Sequence, residues 1–390
     1  KMNSIERIVA LKVSLVMATR MLGLFMLFPV ISVYASSEYQ NTTPFLIGLA
    51  IGIYGLTQAF FQIPFGYLSD RFGRKPLLYI GLCLFFLGSI LAAISTDIIY
   101  VIAGRALQGG GAISAVLMAL LADSVSEENR SKANAFVGFQ IGLAFMLSLL
   151  IGPTIASMTG LSGIFWSIAL LSVISMSIVA SLPHTKPINY YRLSTQEFKK
   201  ILNPRLLRLD FSVFTLHLML TSTFIVMPLI LVENNIINIA ENWKLYLPAM
   251  VMSFIGMVPL IILAEKLQKT KLILLISIAL LMISQLLFYE LKLNFNIFLA
   301  VLTLFFIAFN TIEAILPSLL SRTASSSKRG LAMGVFSTSQ FLGTFFGGAI
   351  GGLIYDIFNL NSVFLFTIFM AIIWWLVILT LPQNDNKSEE

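Results

Sequence analysis

Long apolar runs, separated by short polar segments, set the pattern of the chain. A helix that crosses a bilayer needs about 20 mostly apolar residues. Twelve runs of roughly that length occur, at about residues 8–34, 44–67, 77–95, 98–121, 131–158, 163–182, 206–232, 242–265, 271–289, 295–321, 328–355 and 361–381. We therefore predict twelve transmembrane helices, called spans 1 to 12 in chain order.

One long polar stretch, residues 183–204, separates the sixth span from the seventh. We interpret it as a cytoplasmic linker between an N-terminal six-helix bundle (residues 1–182) and a C-terminal six-helix bundle (residues 205–390) that ends in a short cytoplasmic tail. The expected fold class is therefore an all-α membrane protein of two six-helix bundles.

The distribution of positive charge along the chain predicts its orientation in the membrane. Most of the 25 lysines and arginines fall in the termini, in the loops after spans 2, 4, 8 and 10, or in the linker. Because lysine and arginine accumulate in cytoplasmic loops, we place both termini in the cytoplasm. The net charge of +7 thus reflects topology, and we expect no nucleic-acid partner.

Composition argues against several chemistries. The chain is 58% hydrophobic and 11% charged, which is typical of a membrane protein and not of a soluble domain. One cysteine, Cys83, and two histidines offer little for a metal site. No phosphate-binding loop ending in Gly-Lys-Ser or Gly-Lys-Thr occurs in the sequence. We expect no metal, no cofactor and no enzymatic activity.

The two halves echo each other at an offset of about 195–199 residues. Three short matches carry the repeat: Pro29 with Pro228, Leu68–Arg71 with Leu263–Lys266, and Arg130–Ala133 with Arg329–Ala332. A duplicated six-helix unit of this parallel type is found in secondary transporters. The repeat therefore indicates a transporter.

The segment between spans 2 and 3, residues 66–75, reads Gly-Tyr-Leu-Ser-Asp-Arg-Phe-Gly-Arg-Lys. It matches the loop signature G-x-L-[AS]-D-R-x-G-R-K of the major facilitator superfamily at every defining position. Residues Arg105–Gly111 resemble the fourth-helix motif of the same family. Over nearly its whole length, the chain therefore resembles a major facilitator transporter.

A narrower resemblance, to YajR-type proteins of the drug/proton antiporter group, is carried by three stretches: Ile47–Arg74, Gly104–Ala133 and Ser337–Gly352. Such proteins have a small soluble domain after the twelfth helix, which we expect to be lacking because the chain ends about nine residues beyond span 12. The fifth-helix signature of antiporters, Gly-x-x-x-Gly-Pro-x-x-Gly-Gly, is literal only at Gly152-Pro153. Small residues fill its other positions: Ser148, Ala156 and Ser157.

The resemblance gives the loop at 66–75 the role of a conformational latch. It implies that Asp70 lies beside the start of span 11, near residues 328–330, and that Arg74 reaches Asp123 at the end of span 4. These contacts would hold the two halves together on the cytoplasmic side and favour the outward-open state. The latch residues are Gly66, Asp70, Arg71, Gly73, Arg74, Lys75 and Asp123. The alternative is that the cations only fix the topology.

Four ionisable residues within spans are candidates for proton coupling: Glu313, His217, Arg20 and Arg105. A charge at the bilayer centre costs about 2.5–3.5 kcal/mol, so such residues usually face a cavity or a partner. We expect Glu313 and His217 to bind the proton, and Arg105 resembles the arginine that the family associates with proton relay. The alternatives are an ion pair of Glu313 within its half, a neutral His217 bonded to a helix carbonyl, and a structural tie from Arg105 to backbone carbonyls.

Two further sets complete the predicted machinery. The cavity candidates are polar residues of the spans: Tyr54, Gln58, Gln62, Asn310, Ser339 and Gln340. Among many phenylalanines and methionines, they suit a moderately apolar solute, cationic or zwitterionic. The candidates for a periplasmic gate are Gly48, Gly52, Gly152, Pro153, Gly347 and Gly351, because small residues let helices approach closely. Static packing within each half is the alternative.

We therefore expect a proton-coupled transporter in the inner membrane of a bacterial cell that exports a small, moderately apolar solute or drug by alternating access. Its partners would be the lipid bilayer, protons and the solute, and the chain would act as a monomer. The alternative is a proton symporter or facilitator for uptake of a sugar or other metabolite. An alternative of another class is a membrane scaffold or receptor without transport, which would need neither Asp70 with Arg74 nor Glu313 in a span.

Overall fold

The computed structural model describes residues 3–183, 203–290, 294–324 and 329–382, which are almost wholly α-helical. The first half forms α1 (Ser4–Phe25), α2 (Ile31–Glu38), α3 (Pro44–Phe72), α4 (Arg74–Ala93), α5 (Ile98–Gly110), α6 (Ser114–Ser124) and α7 (Glu127–Ala180). The second half forms α8 (Pro204–Glu233), a 3-10 turn (Ile239–Glu241), α9 (Trp243–Lys266), α10 (Thr270–Glu290), α11 (Phe295–Thr323), α12 (Arg329–Ile357) and α13 (Leu360–Leu379).

Ten helical segments of the described ranges are long and apolar enough to cross a membrane. One of the ten, Glu128–Ala180, contains both span 5 and span 6. The 29-residue helix α12, which is not among the ten, corresponds to span 11. The helices thus account for all twelve predicted spans.

The chain divides into two compact units. The first contains Lys1–Tyr191 with Ile239–Glu241, and the second contains Arg192–Asn238 with Asn242–Glu390. The dividing point falls in the predicted linker, most of which (residues 184–202) lies outside the described residues, as do residues 383–390 of the predicted tail.

Spans 1 and 4 are each interrupted within their length, which the apolar runs of the sequence do not reveal. Span 1 stops at Phe25, passes through a turn that contains Pro29, and continues as α2. Proline lacks the backbone N–H that a continuing helix needs. Span 4 breaks between α5 and α6 at Gly111, where a Cβ atom would collide with the backbone carbonyl of Gly81 in α4.

Spans 5 and 6 form α7, which has a sharp break at Gly160. This residue has φ +70° and ψ −169°, a backbone conformation that is essentially restricted to glycine. The Leu161 amide donates a hydrogen bond of 2.9 Å to Oε2 of Glu38, the last residue of α2. The Glu38 carboxylate therefore caps the part of α7 that follows the break.

Equivalent helix pairs pack closely in the two units. In the first unit, a Cβ atom at Gly152 of α7 would collide with the backbone carbonyl of Met26, just after α1. In the second unit, three glycines of α12 lie against three residues of α8: Gly343 against Phe214, Gly347 against Leu218, and Gly351 against Ser222. These pairs are spans 1 and 5 and spans 7 and 11, which the sequence repeat makes equivalent.

Large apolar side chains lie on the surface of each unit, while polar ones lie inside. Phe60 and Ile63 of α3 are 75% and 54% exposed, whereas Arg20, Arg105 and Gln108 are buried. This distribution is expected where lipid surrounds the helices, because charged side chains in membrane helices face the bundle interior. The buried polar residues are therefore the candidates for a functional role.

Candidate functional site

The segment at 66–75 contains a one-residue junction between two helices. α3 ends at Phe72, α4 begins at Arg74, and Gly73 between them has φ +94°. Glycine adopts this left-handed conformation at little cost, so the chain passes from one helix to the next without a longer loop. Gly66 lies about two turns earlier, where a Cβ atom would be 4.0 Å from the Cβ of Ala115 in α6.

Arg74 is the centre of the polar contacts in this segment. Its buried guanidinium forms an ion pair with Asp70. Its Nε donates a hydrogen bond of 3.0 Å to Oδ2 of Asp123, and its NH1 donates one of 2.7 Å to the Ser69 hydroxyl. Hydrogen bonds in which both groups are charged are shorter and stronger than neutral ones. Arg74 therefore joins α3, α4 and α6 inside the first unit.

The other two cations of the segment differ from each other. Lys75 is buried, and its Nζ donates a hydrogen bond of 3.0 Å to the backbone carbonyl of Ala180 at the end of α7. Arg71 is exposed, with its Cζ 5.2 Å from the centroid of the Phe72 ring. The predicted contact of Asp70 with residues 328–330 stays a prediction, and residue 328 lies outside the described residues.

Arg20 of α1 lies in the interior of the first unit. Its Nε donates a hydrogen bond of 2.9 Å to the Tyr54 hydroxyl, and its NH2 donates one of 2.6 Å to Oε1 of Gln58. The amide nitrogen of Gln58 donates in turn to the Ser114 hydroxyl at 3.5 Å. The remaining terminal nitrogen, NH1, is buried without a hydrogen-bond partner among the described residues.

Arg105 of α5 is arranged in a similar way. Its Nε donates a hydrogen bond of 3.1 Å to the backbone carbonyl of Ala50, and its NH1 donates one of 2.7 Å to Oε1 of Gln108. Gln108 then donates to the Ser89 hydroxyl at 2.9 Å. The NH2 nitrogen is buried, and no described residue accepts a hydrogen bond from it. The contact with Ala50 is the kind of tie that the structural alternative for Arg105 expects.

Tyr54 links the two arginines. The Cζ atoms of Arg20 and Arg105 lie 5.7 Å and 5.0 Å from the centroid of its ring. Tyr54 and Gln58 were expected to line a substrate cavity, as was Gln62, but all three side chains are almost fully buried in the first unit. Two of them are bonded to Arg20, and the role of all three in lining a substrate cavity stays a prediction.

His217 of α8 is the centre of a polar cluster in the second unit. Its Nδ1 lies 3.1 Å from the backbone carbonyl of Val213, and its Nε2 lies 2.8 Å from Nε2 of Gln340 in α12. Because a carbonyl can only accept, Nδ1 carries the hydrogen and Nε2 of the neutral ring accepts from the Gln340 amide. Oε2 of Glu313 in α11 lies 3.8 Å from Nε2 of His217 and accepts no hydrogen bond from the described residues.

The last cavity candidates lie in the second unit. Asn310 donates a hydrogen bond of 3.0 Å to the Ser253 hydroxyl of α9. It lies three residues before Glu313 on α11, and Ser339 precedes Gln340 on α12. The helices of the second unit thus bring Gln340 and Glu313 to His217.

The gate candidates make packing contacts in this structure. Gly152, Gly347 and Gly351 lie against helices of their own unit, as described above. Gly48 and Gly52 are buried in α3, and Pro153 lies inside α7. These contacts correspond to the static-packing alternative, and the role of a periplasmic gate stays a prediction.

Asp210 is an ionisable residue that was not among the candidates predicted from the sequence. It lies in α8, seven residues before His217, and it is buried. Its Oδ1 has no hydrogen-bond partner among the described residues. The sequence pattern could have identified it, because Asp210 is a carboxylate inside the apolar run of span 7.

Comparison with known proteins identifies the class. The family profile described as Major Facilitator Superfamily matches residues 13–264 and 209–390. The chain therefore belongs to the major facilitator superfamily, whose members are membrane transporters and not enzymes. It is a multi-pass protein of the inner membrane.

Two relatives are similar over nearly the whole chain. The chain is 42% identical to the inner membrane transport protein YajR of Escherichia coli K12, with 100% of the chain and 86% of that protein covered. It is 39% identical to an uncharacterized transporter of Buchnera aphidicola subsp. Schizaphis graminum, with 96% and 97% covered.

Solved structures show the same fold at low identity. A bacterial homologue of the human lysosomal transporter Spinster matches with a TM-score of 0.79 at 12% identity, over 97% of both chains. A D-xylose–proton symporter matches with a TM-score of 0.74 at 17% identity, over 96% of this chain and 97% of that chain. These matches establish the major facilitator fold, with its two six-helix bundles.

Proposed function

We propose that this protein is a proton-coupled secondary transporter that exports a small solute by alternating access. Its family and its apolar helices support transport across the inner membrane. The observation that carries proton coupling is the cluster of His217, Glu313 and Gln340 in the second unit. Histidine changes charge near neutral pH more readily than other side chains, and the Glu313 carboxylate lies close to His217.

The cluster can accommodate both charge states of His217. When the ring is neutral, Nε2 accepts a hydrogen bond from the Gln340 amide. When a proton binds at Nε2, the ring donates to Oε2 of Glu313, which is 3.8 Å away and has a free lone pair. Gln340 then turns its amide so that its oxygen, and not its nitrogen, faces the ring. Protonation thus exchanges one set of contacts between α8, α11 and α12 for another.

Proton entry supplies the driving force for export. One charge that moves inward through a potential of 100 mV releases about 2.3 kcal/mol, and a pH gradient adds to this. We place both termini in the cytoplasm, following the distribution of lysine and arginine. We assign the segment at 66–75 the role of a latch, in which Arg74 with Asp70 and Asp123 stabilises one arrangement of the helices.

Transport in proteoliposomes tests this proposal. The protein would be reconstituted in both orientations, with an imposed pH gradient and a panel of anionic, neutral and cationic solutes, while internal pH is recorded. Export coupled to protons predicts solute-dependent proton movement in the direction opposite to the solute. Movement of both in the same direction would establish uptake by symport, and solute flux without proton flux would establish a facilitator. No flux for any solute would contradict transport.

A further inference from the structure

We infer that the buried polar core of the first unit is an anion-binding site, and that the transported solute carries a carboxylate or a comparable small anionic group. The second part of this inference rests on the proposed transport function. The core consists of Arg20, Arg105 and Tyr54 with two glutamines, Gln58 and Gln108.

The first observation is that two buried cations share this core without an acid. No described carboxylate forms an ion pair or a hydrogen bond with either arginine. The acids of the first unit with described partners are bound elsewhere: Glu6 to Ser126 and Asn129, Glu38 to Leu161, Asp70 and Asp123 to Arg74, and Asp97 to Asn41. An unpaired buried charge is costly, so these two guanidiniums call for a counter-ion.

The second observation is that each guanidinium has a buried terminal nitrogen with no acceptor in the described residues, NH1 in Arg20 and NH2 in Arg105. The acceptors that the two arginines do have are neutral: a phenol, two amide oxygens and a backbone carbonyl. An anion with two or more oxygens would provide both the missing lone pairs and the missing charge. Arginine matches carboxylate and phosphate groups in this way because its planar fork presents parallel N–H groups.

The third observation is that the core is assembled from separate helices. Arg20 belongs to α1, Tyr54 and Gln58 to α3, and Arg105 and Gln108 to α5. Both arginines lie within 6 Å of the Tyr54 ring centroid, at 5.7 and 5.0 Å. The two nitrogens are shielded from solvent in this structure, so the anion enters when these helices move apart.

The expected class of solute changes accordingly. Polar residues among many apolar ones suggested a cationic or zwitterionic compound from sequence alone. Two unpaired arginines favour a solute with at least one negative group and disfavour a purely cationic one. The glutamines and Tyr54 would fix the orientation of that group, since they hold the guanidiniums that bind it.

Thermal unfolding of the purified protein tests the anion site directly. The probes are sodium acetate, sodium benzoate and sodium phosphate, with benzyl alcohol and benzylammonium chloride as neutral and cationic analogues of benzoate, all at constant ionic strength. At least one of the three anions should raise the unfolding temperature with saturable concentration dependence, because binding to the folded state stabilises it. The neutral and cationic analogues should not do so.

Variants of the arginines show whether this effect arises in the core. Arg20→Gln and Arg105→Gln should each weaken binding of the stabilising anion at least tenfold. Arg7→Gln, on the exposed face of α1, is the matched control and should leave binding unchanged. If a glutamine variant does not fold, Arg20→Lys is measured in its place. This variant should also weaken binding, because lysine keeps the charge but lacks the planar, parallel N–H groups of the guanidinium.

Two results would overturn the inference: no anion stabilises the wild-type protein, or the stabilisation persists in the variants of both arginines. The experiment needs no gradient, so its failure is distinct from failure of the proposed function. If the protein binds an anion in this core but transports no solute, the anion site is supported and the proposed transport function is contradicted. If the protein exchanges protons for a cationic solute, the proposed transport function is supported and the anionic class of solute is contradicted.

Discussion

Arg74 and Asp210 are both buried, yet their removal should have opposite effects on stability. Arg74 forms an ion pair with Asp70 and hydrogen bonds with Asp123 and Ser69. Asp210 has a buried oxygen without a partner in the described part of the chain. A paired buried charge stabilises the fold relative to a variant that removes one partner, whereas an unpartnered buried group costs free energy.

Arg74→Gln should lower the free energy of unfolding by about 1.5–3 kcal/mol, the usual contribution of hydrogen bonds to charged groups. The glutamine cannot reach both carboxylates, so Asp123 loses its cation. Arg71→Gln is the control, because Arg71 is exposed and lies against the ring of Phe72. Unfolding in a mild detergent, followed by tryptophan fluorescence, measures both. Equal stability of the two variants would contradict the central role of Arg74 in this segment.

Asp210→Leu should raise the free energy of unfolding by about 1–3 kcal/mol, because it removes a buried oxygen that has no hydrogen bond. The same measurement on Asp356→Leu, which replaces an exposed acid of the second unit, is the control and should show no such gain. A loss of stability in Asp210→Leu would show that the carboxylate has a stabilising partner, and would contradict this account of the residue.

The helices themselves were largely predictable, and their breaks were not. Runs of about 20 apolar residues located every span, because hydropathy over such a length is a strong signal. The breaks at Pro29, Gly111 and Gly160 each depend on one residue, which an average over a whole span cannot resolve. The contact between Gly111 and Gly81 also joins residues 30 positions apart, and no local pattern encodes it.

The cap on α7 leads to a prediction about pH. Burial raises the pKa of the Glu38 carboxyl above its ordinary value of 4.5, although the hydrogen bond from Leu161 acts in the opposite direction. The folded protein therefore keeps this proton to a higher pH than the unfolded chain. The contribution of Glu38 to stability is thus largest below 4.5 and declines as pH rises through the raised pKa.

Glu38→Gln keeps an oxygen that can accept from Leu161 but removes the titration. The variant should therefore unfold at a higher temperature than the wild type at pH 8, and the difference should shrink toward pH 4.5. Thermal unfolding between pH 4.5 and 8 checks this. A difference that grows as pH falls would show that the ionised carboxylate stabilises the cap, contrary to the expected direction.

At the scale of the whole molecule, the two units carry different chemistry on equivalent helices. The first unit buries Arg20 and Arg105 with neutral partners on α1 and α5, and the second places His217 beside Glu313 and also buries Asp210. Charges within apolar runs pointed to most of these residues in advance. Their hydrogen-bond partners could not be predicted, because these lie far away in the sequence. Gln58 is 38 positions from Arg20, and Gln340 is 123 positions from His217.

The most direct test of proton coupling separates solute movement from proton movement in one variant. Wild-type protein and Glu313→Gln would be reconstituted, and two quantities measured for the solute found in the transport screen: exchange at equal pH on both sides, and accumulation driven by a pH gradient. Glutamine keeps the shape of the side chain but cannot hold the charge beside His217. We predict that Glu313→Gln retains solute exchange at equal pH, and that its solute accumulation driven by the pH gradient is at least tenfold lower than that of the wild type. Unchanged accumulation would contradict the assignment of the proton to the pair of His217 and Glu313.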